Sequence, residues 1–83
     1  MKYGLYSIRD DKVGFLYPAV DYNDASAMRN FTEVINDGDF SKHRRDLSLY
    51  RIGEFDSLSG HVSALDAPAY LCSGSDFADI GGD

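Results

Sequence analysis

The apolar positions of the first nine residues alternate: Tyr3 and Leu5 fall on one side of an extended chain, Tyr6 and Ile8 on the other. Period two with aromatic and branched side chains predicts a strand. Apolar residues on both sides predict a central one. Asp10-Asp11-Lys12 reads as a tight connection, because aspartate carboxylates bond nearby backbone N–H groups. Residues 13–17 predict a second strand, ended by Pro18, which has no N–H for a ladder. The two strands make a hairpin.

The period then changes. Ala27, Met28, Phe31, Val34 and Ile35 recur at helical spacing, with Arg29, Asn30, Glu33 and Asn36 on the other side. Asp21 or Asn23 can cap this helix, and Asp24 puts negative charge in its first turn. Gly38 suits the left-handed residue that often follows a helix end. After a polar, basic connection over 39–46, period two returns: Leu47, Leu49 and Arg51 alternate with Ser48, Tyr50 and Ile52, and Gly53 marks a bulge. A third strand is thus expected over 47–55. Residues 56–60 have hairpin-loop composition, with Gly60 able to take positive φ. A fourth strand is expected over 61–65.

The expected fold is therefore α+β, in the order ββαββ: a four-stranded antiparallel sheet with one helix packed on one face. The opposite face is expected to stay open and to carry aromatic residues suited to a partner or a second copy. One domain over residues 1–66 is expected, followed by an acidic, glycine-rich tail over 67–83, partly disordered. Pro68, Gly74, Gly81 and Gly82 interrupt regular structure there. Tyr70-Leu71-Cys72 is the part of that tail suited to docking as a short edge strand or on a partner.

A chain of 83 residues forms one small domain with a thin stability margin. Its single cysteine, Cys72, excludes an intrachain disulfide and fits a reducing compartment. His43, His61 and Cys72 show no metal-ligand spacing, so neither metal nor other cofactor is expected. Self-association is the remaining reinforcement, and a homodimer is expected. No secretory signal or membrane-length apolar run is visible.

Charge is unevenly spread. The net charge is −6, yet all eight basic residues lie at or before Arg51, and from Asp66 onward there are four acids and no base. An acidic chain needs a local basic patch to hold phosphates. The run Lys42-His43-Arg44-Arg45, with Arg51 nearby, is that patch, and Phe40 and Tyr50 interleave it. Arginines beside exposed rings suit single-stranded nucleic acid, whose bases stack while its phosphates meet cations. The alternative is a solvated loop balanced by Asp37, Asp39 and Asp46. The acidic tail either keeps the chain soluble or competes with nucleic acid for the patch. No nucleophile motif or glycine elbow accompanies His61 and the nearby serines, so no catalytic residue is assigned and the chain is not expected to be an enzyme.

In its order of segments the chain resembles the small nonstructural proteins of gokushovirus-type microviruses, which are single-stranded DNA phages. The resemblance is carried by the opening Met1-Lys2-Tyr3-x-Leu5-Tyr6-Ser7-Ile8-Arg9-Asp10-x-Lys12-Val13-Gly14, by Pro18 and by the helical run from Ala27 to Asp37. It continues through Phe40-Ser41-Lys42-His43 and the run from Asp46 to Asp56. It covers residues 1 to about 66 and departs at Arg44-Arg45 and in the tail. It implies a non-virion protein of the bacterial host cytoplasm, engaged in viral DNA synthesis or packaging, with no catalytic residues. Single-stranded DNA and phage replication or packaging proteins are the partners it implies. A second reading stays open: a protein-interaction factor, with itself or with host or phage proteins, and no nucleic-acid contact.

Overall fold

A computed structural model describes residues 1–77. Strand β1 (Lys2–Asp10) is central, as its two apolar sides require. On one flank it pairs with β2 (Gly14–Phe15) and β3 (Ala19–Asp21), and on the other with β4 (Leu47–Asp56). Outermost beyond β4 lies β5 (Val62–Ser73), and every pairing is antiparallel. Helix α1 (Asp24–Ile35) and a single turn, α2 (Gly38–Ser41), join the two halves. The expected α+β layer of antiparallel strands with one main helix is the fold observed.

β2 and β3 are one edge strand broken in the middle. The Leu16 N–H still reaches the Ile8 carbonyl at 2.8 Å, but Pro18 has no donor and the ladder stops there. Pairing resumes at Ala19, so the proline interrupts this edge without ending it. The Ser7 hydroxyl donates to the Leu16 carbonyl and ties the break down.

Asn23 is the N-cap of α1, its side chain accepting from the Ser26 N–H at 2.8 Å. The apolar stripe goes inward: Ala27, Phe31 and Ile35 are buried against Tyr6, Leu47, Leu49 and Cys72. Full burial of a side chain such as Phe31 or Ile35 is worth roughly 1.5–3 kcal/mol. Asp21 fastens β3 to the helix through the Ser26 hydroxyl (2.7 Å) and the Asn30 amide (2.6 Å). Partial burial works against its charge, but these two bonds and the Tyr22 N–H hold its carboxyl below the usual range.

Two local expectations are corrected. Gly38 is not the left-handed end of α1; it opens α2, with Asp37 as the cap whose side chain accepts the Gly38 N–H. The polar connection also holds a 3-10 turn over Arg44–Asp46. Gly60 does take positive φ, at +77°, in the β4–β5 hairpin.

Residues 67–77, read from composition as the start of the tail, continue the fold. The outer strand leaves its partner briefly: Arg51 pairs with Ala69 and Gly53 with Ala64, so Leu65, Asp66, Ala67 and Pro68 stand opposite Ile52 alone. This excursion accommodates Pro68, after which pairing returns and carries Cys72 into the core. A 3-10 turn over Gly74–Phe77 follows, and the Phe77 ring lies 6.5 Å from that of Phe31. Gly74 packs on the Arg44 carbonyl so closely that a Cβ would not fit. The end of the expected acidic tail, residues 78–83, lies outside the described residues. Among the described residues no helix is long and apolar enough to cross a membrane.

Candidate nucleic-acid interface

Cross-strand partners share a face, so the register sorts the side chains. The helix side of the sheet carries Tyr6, Leu47, Leu49 and Arg51. Arg51 is committed there: one guanidinium nitrogen lies 3.1 Å from Asp24 and the other 3.3 Å from Glu54. Its guanidinium carbon also sits 5.9 Å from the centre of the Tyr6 ring. The Tyr6 hydroxyl donates to the same Asp24 oxygen at 2.7 Å. Burial, then this hydrogen bond and the Asp24 charge, push the Tyr6 hydroxyl up to about 12. Gly4 makes this possible, because any Cβ there would occupy the space of the Tyr6 ring.

The other face is bare of helix among the described residues. Phe15, Tyr50 and Tyr70 form a row across the sheet from β2 through β4 to β5. The Phe15 and Tyr50 rings are 5.2 Å apart and those of Tyr50 and Tyr70 5.7 Å, each pair edge-on at 75°. A second pair, Tyr3 and Tyr22, has centroids 5.7 Å apart. The paired positions of this face hold no carboxylate, although the chain carries −6. Their one charged residue is Arg9, whose cross-strand partners are Phe15 and Ser48. Beside this face, among the described residues, Asp11 is engaged by Arg9 at 2.8 Å and Asp76 accepts the Ser73 N–H at 2.9 Å.

The residues singled out in the sequence are distributed unequally. Lys42, His43 and Arg45 are exposed and lie together at the end of the sheet where β1 finishes and β4 begins. Arg44 is half-buried between them, its Nε donating to the Ser41 carbonyl. Tyr50 lies on the open face. Arg51 lies on the opposite one, and Phe40 lies on the helix side. The structure thus does not bring Tyr50, Arg51 and Phe40 into one site. Sequence reasoning passes over Arg9, Phe15 and Tyr22 as site residues, and offers Tyr70 only as part of a docking segment. Alternation alone places Arg9 with Tyr3 and Leu5; its meeting with Phe15 depends on register.

Phe40 belongs to a different feature. An apolar cleft of about 280 Å³ opens between α1 and the broken edge strand, lined by Ile8, Leu16, Tyr17, Phe31, Val34 and Phe40 among others. Cys72 lies in the core, and burial pushes its thiol up to about 11, away from reactivity. Among the described residues no group of three or more histidine, cysteine or acidic side chains is placed to hold a metal.

The chain is thus a small α+β domain with one main helix and an open, ring-bearing sheet face whose paired positions hold no carboxylate. The chain belongs to the phage ORF5 protein family, whose model matches residues 3–77, and it is thus a bacteriophage protein. No curated protein and no solved structure matches it.

Proposed function

We propose that this phage protein is a nonstructural binding protein that contacts single-stranded DNA during viral DNA synthesis or packaging in the host cytoplasm. The observation carrying the reading is the segregation of charge. A chain of net charge −6 keeps every carboxylate off the paired positions of one sheet face and lines that face with rings. Unpaired bases stack on rings of any sequence, and phosphates need cations nearby. Lys42, His43, Arg44 and Arg45 supply positive charge at the end of the sheet. The test is equilibrium binding of a labelled oligothymidylate across a salt series. Affinity should fall as salt rises, and Lys42→Ala/Arg45→Ala should lower both affinity and the salt slope, by about 0.7 for each phosphate left without its cation. Binding that is absent at low salt, or indifferent to salt, refutes the DNA reading.

The apolar cleft favours a second reading, a protein-interaction factor or homodimer. Tyr17 is 90% exposed beside that cleft, and a cavity of roughly 150 Å³ already accommodates a benzene-sized group. An apolar knob and hole on one surface are what a two-fold interface requires. Sedimentation of the wild type against Tyr17→Ser tests its homodimer form: a dimer that the substitution dissolves supports it, and a monomer at all concentrations removes it.

A further inference from the structure

Building on the DNA reading, we infer that the open sheet face is a two-station track for unpaired nucleobases. The row Phe15–Tyr50–Tyr70 is one station, the pair Tyr3–Tyr22 is the other, and Arg9 is the cation on the track. The stations follow from the register. Tyr50 stands beside Ser7 and Phe55 beside Tyr3, so the two ring groups are separated by four residues of β1. At roughly 3.3 Å per residue they are about 13 Å apart. That distance suits a short segment of single strand, toward the lower end of the about 4–16 nucleotides that comparable small domains occupy.

Between the stations the paired positions present no outward polar group: Leu5 is half-buried, its partner Val20 is an exposed apolar side chain, the Ser7 hydroxyl is turned to the Leu16 carbonyl, and Gly53 has no side chain. Nothing there reads base edges, so the track takes bases by their faces and is indifferent to sequence. A stacked duplex buries those faces, so unpaired strands are the ligand. Charge complementarity favours a polyanion over a basic protein surface: Arg9 is the only charge at the paired positions of the face. Lys12 follows β1 in the adjoining turn, and the basic turn Lys42–Arg45 lies at the same end. Asp11 holds the Arg9 guanidinium, so a phosphate arriving at the first station must displace a surface ion pair, which is weak.

The experiment uses the whole chain and a twelve-residue oligothymidylate. The chain has no tryptophan, so its intrinsic fluorescence is tyrosine emission, which stacking quenches. Tyr50→Leu/Tyr70→Leu and Tyr3→Leu/Tyr22→Leu keep bulk in place while removing the rings. Thermal melting verifies that each variant folds, and the single variants Tyr70→Leu and Tyr22→Leu, at exposed positions, replace any double variant that does not. Each pair should weaken binding about tenfold or more, and Arg9→Gln should lower the salt slope by about 0.7. An oligomer of abasic sites with the same phosphates, and a blunt duplex, should bind at least tenfold more weakly. If the oligomer binds with full affinity to both ring variants while Lys42→Ala/Arg45→Ala weakens it, the track is wrong and the DNA reading stands. If only one ring pair matters, the two-station claim is overturned. If the ring variants alter self-association and leave DNA affinity intact, the face belongs to a second copy. If the wild type binds no DNA, both the track and the DNA reading fall.

Discussion

Tyr50 and Arg51 are adjacent in the chain and lie on opposite faces of the sheet. Tyr50 meets Phe15 and Tyr70, while Arg51 reaches down to Asp24 and Glu54 beside the helix. One residue of strand therefore separates a ring on the open face from a group used to fasten the helix to the sheet.

Arg51 should accordingly behave as a structural residue. Arg51→Met is expected to cost about 1 kcal/mol, since its ion pairs are only partly shielded from solvent. It should leave the affinity for single-stranded DNA within about twofold of wild type. Urea denaturation alongside a binding titration checks both halves, and a large loss of DNA affinity at unchanged stability would return Arg51 to the binding site.

The Tyr6 hydroxyl makes stability depend on alkaline pH. Its folded value, about 12, lies above the ordinary 10, so the folded state holds the proton more tightly. The stabilisation is complete below pH 10 and is lost as pH rises from about 10 through about 12. Cys72, raised from 9 to about 11, is lost in an overlapping window and with the same sign. Tyr6→Phe should be less stable by about 1 kcal/mol at pH 8. It should also decline less steeply than wild type between pH 10 and 12, measured by chemical denaturation at each pH. A steeper decline in the variant would contradict the Asp24 hydrogen bond.

Phe31 sits at the junction of everything packed on the helix side. It is 2% exposed and touches the core, the cleft and the Phe77 ring. Phe31→Ala should cost about 3–5 kcal/mol, which approaches the whole stability of a domain this small. Circular dichroism should show a largely unfolded chain at 37 °C, whereas Phe31→Leu should melt cooperatively at a lower temperature than wild type.

Cys72 should be chemically silent while the chain is folded. Its thiol is buried and its raised value leaves little thiolate at pH 8. A thiol reagent such as dithionitrobenzoate should react within minutes in denaturant and at least a hundredfold more slowly without it. Rapid reaction of the native protein would mean that β5 opens locally.

Part of this architecture is legible in the chain alone. The α1 stripe is, because Ala27, Phe31 and Ile35 recur at a helical period and nothing in the run competes with it. The central position of β1 is, because both of its sides are apolar. The resumption of the edge at Ala19 is not, since Pro18 reads as a stop and pairing beyond it is set by β1. The path of β5 past residue 66 is legible only in part: Tyr70-Leu71-Cys72 reads as a short segment able to dock at the sheet edge, but Asp66-Ala67-Pro68 has the composition of a break, and only the excursion opposite Ile52 joins the two tracts into one strand. Gly38 satisfies the rule for a helix end and equally that for a helix start, and Asp37 decides between them by capping the next turn. In the candidate site, proximity along the chain groups Phe40, Tyr50 and Arg51. The fold sends them to three different surroundings, and register joins Tyr50 to Phe15 and Tyr70 instead.

The departure of Leu65–Pro68 from its neighbour divides the outermost strand into two short tracts, Val62–Ala64 and Ala69–Ser73. Neither offers a long straight row of free amides and carbonyls, and Pro68 lacks a donor. Copies of the chain crowded together in an infected cell thus find no continuous template for zipping edge to edge, and fibre growth from this side is suppressed by the backbone itself.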